Sequence, residues 1–414
     1  MKDRFTFHLL SLVHLPQSKT YLSCAFTQKN RKLAKMLTSL GHIVYAYGAE
    51  GSDFEEYCDS DNLRFIQTHT LKDIGDSFGD GNNLFEIGYN WKETDFRHDF
   101  NTQPKKPATL KFYDKVISYI KANGKPDDFL LNTMGYYFKN IEDELNLFLS
   151  CESGIGYRGS FPKQNHFRCF ESSYMQNFTY GSEHPGADIN GSYYDRVIPN
   201  YFDPDDFEYS DKKEDYYLYI GRMIKRKGII TAALACQAIG AKLVIAGQGA
   251  RVLPNGHLIP TGDLEFDLEP MTWEYVGYQG VEERKPLMAH AIATFVPTEY
   301  MEIFGGTHIE AMLSGTPPIT TSFGVFPETI PNCLNGIVGF RCNTLNDFVE
   351  AALKAKTVNH KAIHSYGERY LMDNVKWDYQ KWFEDLYRVY LSAIDKTQPG
   401  WMWLPEGKYP IKKE

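Results

Sequence analysis

Apolar residues along this chain fall in short continuous runs, separated by stretches where they recur at helical spacing. That is the pattern of buried strands alternating with amphipathic helices. Residues 5–13 read as a strand, and 27–40 carry Leu33, Met36, Leu37 and Leu40 on one helical face. Gly41 ends that helix, and 43–47 form a second buried strand. From 71 to 107 the pattern is lost. Gly, Asn and Asp gather around Phe85, Tyr89, Trp91 and Phe96, which predicts one long irregular stretch, functional or mobile. Alternation returns with a helix over 110–122 and a strand over 129–132. A short helix over 141–145, a strand over 147–151, a polar loop at 160–165, a strand at 168–170, a helix start at 172–178 and a strand at 196–199 follow.

The acidic, turn-rich stretch 200–215 reads as a linker, and after it the rhythm restarts. Strands are predicted over 216–220, 242–246, 273–276, 293–297 and 318–321, with helices over 228–239, 285–291, 307–314, 346–355 and 361–372. A long amphipathic helix covers 377–394, its apolar stripe formed by Trp382, Phe383, Leu386, Val389 and Tyr390. The 414 residues exceed what one hydrophobic core usually supports. The expected architecture is therefore α/β: two doubly wound, Rossmann-like domains with parallel sheets, 1–200 and 201–375. Ligands bind such sheets outside the carboxyl ends of their strands.

Charge narrows the partners. With 44 Lys and Arg against 53 Asp and Glu, the net charge of −9 disfavours a general grip on a phosphate backbone. The seven Cys are scattered without a CxxC pair, as expected of reduced thiols in a reducing, cytoplasmic setting, and offer no metal-ligand spacing. The apolar start is interrupted by His8 and His14 and lacks a small-residue cleavage site, so it reads as a core strand rather than a signal peptide. No run reaches the length of a transmembrane segment. The aromatic share of 15% suits a sugar-binding cleft and a large packed core alike.

Three pieces of candidate chemistry follow predicted strands. In Gly221-Arg222-Met223-Ile224-Lys225-Arg226-Lys227-Gly228, a glycine turn and the cations Arg222 and Lys227 flank a helix start, which suits a diphosphate. Taken alone, such a stretch is more often a solvated turn. Ala246-Gly247-Gln248-Gly249 is a tight turn where backbone approaches something closely. The strongest piece runs from Pro297 to Pro317. There Gly305 and Gly306 present bare N–H groups at a helix start, Glu302 lies just before them, and Glu310 lies about a turn inside the helix. A carboxylate beside a phosphate is repelled unless it serves hydroxyls, and sugars supply those. A glycosidase reading of the two Glu fits less well, because it needs carboxyls facing each other across one bond rather than beside an anion cradle.

With seven residues between them, Glu302 and Glu310 resemble the signature of family 4 glycosyltransferases of the GT-B fold. The order around them is similar too: V-I-P-N at 197–200, Y-I-G-R-M-I-K-R-K-G at 219–228, A-G-Q-G at 246–249, V-G-Y at 276–278 and F-P-E-T at 326–329. The resemblance implies two domains facing across a cleft, with the C-terminal segment 376–414 packing back on the first. It implies a retaining, metal-independent transfer that uses a nucleotide-diphosphate sugar of unknown base as co-substrate and no other cofactor. Arg222 and Lys227 would hold the diphosphate, Glu310 the ribose and Glu302 the transferred sugar. Gly221, Gly247 and the backbone of Ile303, Phe304, Gly305, Gly306 and Thr307 would complete the donor site.

The first half departs from the family, with His14-Leu15-Pro16-Gln17 where a Gly-Gly turn is usual. Glu152 is the candidate for touching the transferred sugar, where the family commonly has a histidine. His14 and Trp91 are candidates for the acceptor side, although a lone His at a strand end is more often structural. The acceptor is expected to be a hydroxyl on a saccharide, a lipid-linked glycan or another small molecule. One alternative makes modified DNA bases the acceptor, with Trp91, Arg97, Lys105 and Lys106 contacting nucleic acid; the net charge disfavours it. Another is a non-catalytic sugar-nucleotide-binding module.

Overall fold

The computed structural model describes residues 2, 4–21, 24–78, 105–157, 167–183, 186, 191–261 and 265–394. The chain divides into two compact units. Of the described residues, the first holds those up to Tyr201 and those from Met372, and the second holds Phe202–Leu371.

In the first unit, β1 (Thr6–Leu10), α1 (Ala25–Ser39), β2 (Ile43–Ala49), α2 (Phe54–Cys58), β3 (Leu63–His69) and α3 (Leu71–Phe78) make one run. It continues through α4 (Pro107–Asn123), β4 (Phe129–Asn132), α5 (Lys139–Leu145), β5 (Ser150–Ile155), β6 (Phe167–Phe170), α6 (Ser173–Glu183) and β7 (Arg196–Val197). The sheet is parallel in the order β3-β2-β1-β4-β5-β6-β7. Alternate residues of its central strands point to opposite faces. Phe7, Leu9, Val44 and Leu131 pack toward α1, whereas Leu10, Tyr47 and Leu130 pack toward Phe112, Val116 and Ile120 of α4.

The second unit repeats the plan. Its elements are β8 (Tyr217–Ile220), α7 (Ile229–Ala238), β9 (Leu243–Ala246), the hairpin β10 (Ala250–Val252) and β11 (Leu258–Pro260), β12 (Trp273–Gly277) and α8 (Val281–His290). After them come β13 (Thr294–Val296), α9 (Gly306–Leu313), β14 (Pro318–Thr321), α10 (Phe326–Thr329), β15 (Phe340–Cys342), α11 (Leu345–Ala355) and α12 (His360–Gly367). Its parallel sheet runs β12-β9-β8-β13-β14-β15. Tyr217, Tyr219, Leu243, Ile245 and Phe295 pack with α7 and α11 on one face. Leu218, Val244 and Ala246 meet Met288 of α8 and Ala311 of α9 on the other. Strand order reverses at β8, between β9 and β13, so the loops after these strands flank a switch point.

Helix α13 (Met372–Ile394), the last among the described residues, belongs to the first unit. Its residues Val375, Tyr379, Trp382, Phe383, Leu386 and Val389 join the core beneath β1, β2 and β4–β6, and the Trp382 indole N–H donates to the Tyr194 carbonyl at 3.1 Å.

Several expectations need correction. Residues 71–78 are helical, not irregular: the Thr70 hydroxyl accepts from the Asp73 amide while the Asp73 carboxylate accepts from the Thr70 amide, a reciprocal cap that starts α3. The strand expected over 147–151 runs Ser150–Ile155, which puts Glu152 within it rather than after it. The helix expected over 361–372 stops at Gly367, and Leu371 is extended and bridges Phe202. That bridge keeps the helix from running on, so the next helix starts at Met372 rather than 377. Strand β3 and the hairpin β10–β11 were not expected.

Candidate functional site

Four loops of the second unit leave the carboxyl ends of adjacent strands, and backbone contacts lock them together. The Gly221 amide donates to the Ala246 carbonyl at 3.0 Å, and the Met223 amide to Gln248 at 3.0 Å. Gly247, at φ +147°, comes so near that a Cβ there would lie 1.8 Å from the Gly221 carbonyl oxygen. Its own amide donates to Gly277 at 2.8 Å, and its carbonyl accepts from the Tyr275 hydroxyl at 2.8 Å. The loops after β8, β9 and β12 therefore share one framework, and only glycine fits at its tightest crossing.

The loop after β8 closes in a single 3-10 turn, Lys225–Lys227, that ends on Gly228 at φ +78°. The loop after β13 runs against it: the Glu299 amide donates to the Arg226 carbonyl at 2.8 Å, and the Thr298 hydroxyl to the same carbonyl at 3.2 Å. This seats the Lys227 ammonium 3.3 and 3.4 Å from the two carboxylate oxygens of Glu302. It also donates to the Tyr300 hydroxyl at 2.8 Å and lies 4.7 Å from the centre of that ring, with the Arg226 guanidinium 5.0 Å from the same ring. Glu302 is buried. Burial pulls the Lys227 ammonium below the usual lysine range, and the Glu302 carboxylate pulls the other way. Burial, reinforced by Glu302, pushes the Tyr300 phenol far up, so it remains a neutral hydroxyl.

Beyond Glu302 the chain turns at Gly305, φ +72°, where a Cβ would meet the Glu302 side chain at 2.4 Å. Helix α9 then opens at Gly306, and its first amides have no partner within the helix, which is the general property that makes a helix start attract anions. His308 braces this turn. Its Nδ1–H donates to the Gly305 carbonyl, and its Nε2 accepts from the Thr329 hydroxyl at 2.8 Å. Full burial lowers its pKa to about 4, so the ring stays neutral, as that tautomer requires. Phe304 turns its side chain into the core of the unit, leaving its backbone for any ligand role. About one turn into α9, Glu310 faces Arg284 of α8, with Oε1 and the guanidinium 3.5 Å apart.

The second unit thus gathers Gly221, Arg222, Lys227, Gly247, Glu302, Ile303, Phe304, Gly305, Gly306, Thr307 and Glu310 at the ends of its central strands. Arg222 follows Gly221 there, half-buried, and its carbonyl accepts from the Tyr219 hydroxyl at 3.3 Å. Glu152 and His14 lie in the first unit. Glu152 is fully buried in β5 and accepts from the Tyr157 hydroxyl at 2.5 Å. His14 follows β1, buried, its ring edge-on to Phe78 with centroids 6.1 Å apart. Trp91, Arg97 and the polar loop expected at 160–165 lie outside the described residues. Sequence reasoning missed Tyr300, Arg284 and His308. Tyr300 and His308 lay inside the stretch Pro297–Pro317, whereas nothing local marks Arg284.

Comparison with known proteins fits this geometry. Residues 203–368 match the family model of glycosyl transferases group 1. An uncharacterized glycosyltransferase of Methanocaldococcus jannaschii is 31% identical over 136 residues, covering 30% of this chain and 31% of that protein. Glycogen synthase of Mycobacterium tuberculosis is 31% identical over 130 residues, covering 30% and 29%. The match thus spans under a third of the length of these curated relatives. Likeness in fold reaches further. Sucrose-phosphate synthase from Thermosynechococcus elongatus superposes with a TM-score of 0.60 at 17% identity, over 93% of this chain and 99% of that one. HepE from Anabaena, solved in complex with UDP and glucose, does so at 0.55 and 13% identity, over 91% and 98%. The fold is GT-B.

Proposed function

We propose, for a chain whose residues 203–368 belong to the glycosyl transferases group 1, that it moves a sugar from a nucleoside-diphosphate sugar to a hydroxyl acceptor. The observation that carries this reading is the Lys227–Glu302 pair, 3.3 Å apart with Glu302 buried and Lys227 partly so, at the opening of helix α9. A cation, an anion and a row of backbone donors at one strand end suit a ligand with both phosphate and hydroxyl groups. The diphosphate takes Arg222, Lys227 and the α9 amides, the sugar hydroxyls donate to Glu302, and the ribose hydroxyls donate to Glu310. UDP and glucose bound to HepE support a donor of this class.

In the reaction, the bond between the anomeric carbon and the phosphate oxygen breaks as the acceptor oxygen bonds to that carbon. The acceptor proton passes to the departing phosphate. Negative charge grows on that phosphate, and fixed cations and amides that need no rearrangement stabilise it. Arg222, Lys227 and the helix start supply the positive charge, so the reading needs no metal. The resemblance of the Glu302 and Glu310 spacing to family 4 supports retention of anomeric configuration. The acceptor is a saccharide, a lipid-linked glycan or another small hydroxyl compound. The scattered cysteines, with no CxxC pair, support a reducing, cytoplasmic setting, and among the described residues no helix is long and apolar enough to cross a membrane.

A thermal-shift screen of nucleoside-diphosphate sugars identifies the donor, because a ligand bound only by the folded state raises the melting point. Turnover of that donor is expected to fall at least about 100-fold in Glu302→Ala and in Lys227→Ala, the scale for removing a charged transition-state contact. Unchanged product formation in both variants refutes the assignment. NMR of the product's anomeric proton tests retention.

A further inference from the structure

We propose that Arg284 makes the nucleoside subsite selective for ribose over 2′-deoxyribose by holding Glu310 in place; the proposal rests on the donor site described above. Arg284 lies in the first turn of α8, its amide donating to the Gly280 carbonyl at 3.0 Å. Its guanidinium reaches Glu310 on α9, 3.5 Å from Oε1. The two side chains are only 14% and 17% exposed, so both charges are largely out of water. Among the described residues the Arg284 Nε–H is buried with no acceptor, which leaves the guanidinium donor capacity beyond the carboxylate.

A carboxylate in such a place is held in one direction by the cation beside it. Arg284 Nη1 stands 3.5 Å from Oε1, and the charge beside that oxygen restrains the carboxylate's rotation. Oε2 and the remaining lone pair of Oε1 are left to accept hydrogen bonds. The 2′- and 3′-hydroxyls of a ribose supply two donors and a 2′-deoxyribose supplies one. A fixed carboxylate distinguishes the two ligands. A carboxylate free to rotate follows whichever hydroxyl is present and distinguishes them less. Arg284 is thus a positioning residue acting through Glu310.

The test measures binding of UDP, ADP and GDP, each beside its 2′-deoxy counterpart, by calorimetry on the full chain. For the base that binds, the wild type is expected to favour the ribonucleotide by about tenfold, the worth of one hydrogen bond to a charged acceptor. In Arg284→Ala the ratio is expected to fall to about twofold or less, and in Arg284→Lys to lie between, with charge kept and the planar fork lost. In Glu310→Ala the ratio is already low, and adding Arg284→Ala is expected to change it no further, since the arginine acts through that carboxylate. A change in overall stability moves both affinities together and leaves the ratio alone. Should Arg284→Ala not fold, Arg284→Lys and the Glu310 comparison still decide. A tenfold preference that survives in Arg284→Ala overturns the inference and leaves the donor site standing. If no nucleoside diphosphate binds the wild type, the donor site falls and the inference with it.

Discussion

Tyr300 accepts a hydrogen bond from Lys227 and offers its ring to Lys227 and Arg226. It therefore keeps the ammonium beside Glu302. Tyr300→Phe removes that acceptor but keeps the ring, and the KM for the donor is expected to rise about fivefold, the worth of one such bond, with kcat changed little. Initial-rate kinetics check this. His308 gives a pH signature. The folded protein holds it neutral down to about 4, whereas in the unfolded chain it protonates near 6.5. Between those values only the unfolded chain takes up the proton, so stability falls as pH drops through the window and levels off below it. The loss from this residue is on the order of 3 kcal/mol. Urea unfolding at pH 7 and pH 4.5 is expected to show a smaller difference in His308→Gln than in the wild type. At this scale the sequence singled out candidates within a short motif, such as Glu302 and Glu310. It did not reveal partners brought together from afar: Lys227 and Tyr300 are 73 positions apart, and no local spacing records that contact.

At the scale of elements, the glycine turns carry the site. A Cβ on Gly228 would lie 1.9 Å from the Pro297 carbonyl oxygen, whereas Gly240, also left-handed at φ +63°, has open space around it. Gly240→Ala is expected to cost only the strain of that conformation, about 1–2 kcal/mol. Gly228→Ala must also push the loops after β8 and β13 apart, and a loss above about 3 kcal/mol is expected. Chemical denaturation of the pair checks the contrast. Strands β4 and β14 were read with the limits they have: β14 is a continuous apolar or β-branched run, β4 is apolar up to its last residue, Asn132, and both are buried along their length. Strand β3 was missed because it lies at the sheet edge with several residues partly exposed, and its sequence, LRFIQTH, loses the apolar signal. Helix α3 was hidden by Gly75 and its Asp residues, although Thr70 and Asp73, three apart, are the spacing of a helix start and were there to be read.

At the scale of the whole molecule, two sheets of the same plan follow from the repeated strand–helix alternation, which is why the fold class was legible. Strand order was not, since pairing between distant strands leaves no mark in local periodicity. Helix α13 lies in the core of the first unit, with Trp382 1% exposed. Trp382→Ala is expected to cost that unit about 3–5 kcal/mol by leaving a cavity and an unused Tyr194 carbonyl. Hydrogen exchange read by mass spectrometry is expected to show the loss in β1, β4 and α1 and not in β8, β9 or α7.

That helix also sets an order of events at the ribosome. Domains of a growing chain usually fold in the order in which they are made. Here β1 to β7 emerge first, yet the face of their sheet that α13 covers stays bare until residues 372–394 follow, with all of Phe202–Leu371 made in between. The segment bearing the Lys227–Glu302 pair is complete in itself and can close earlier. A nascent chain stalled or cut short near residue 371 therefore carries a finished second unit and an open, sticky first one, the form that chaperones and proteases recognise. In the cell, the fate of such a chain turns on whether α13 follows.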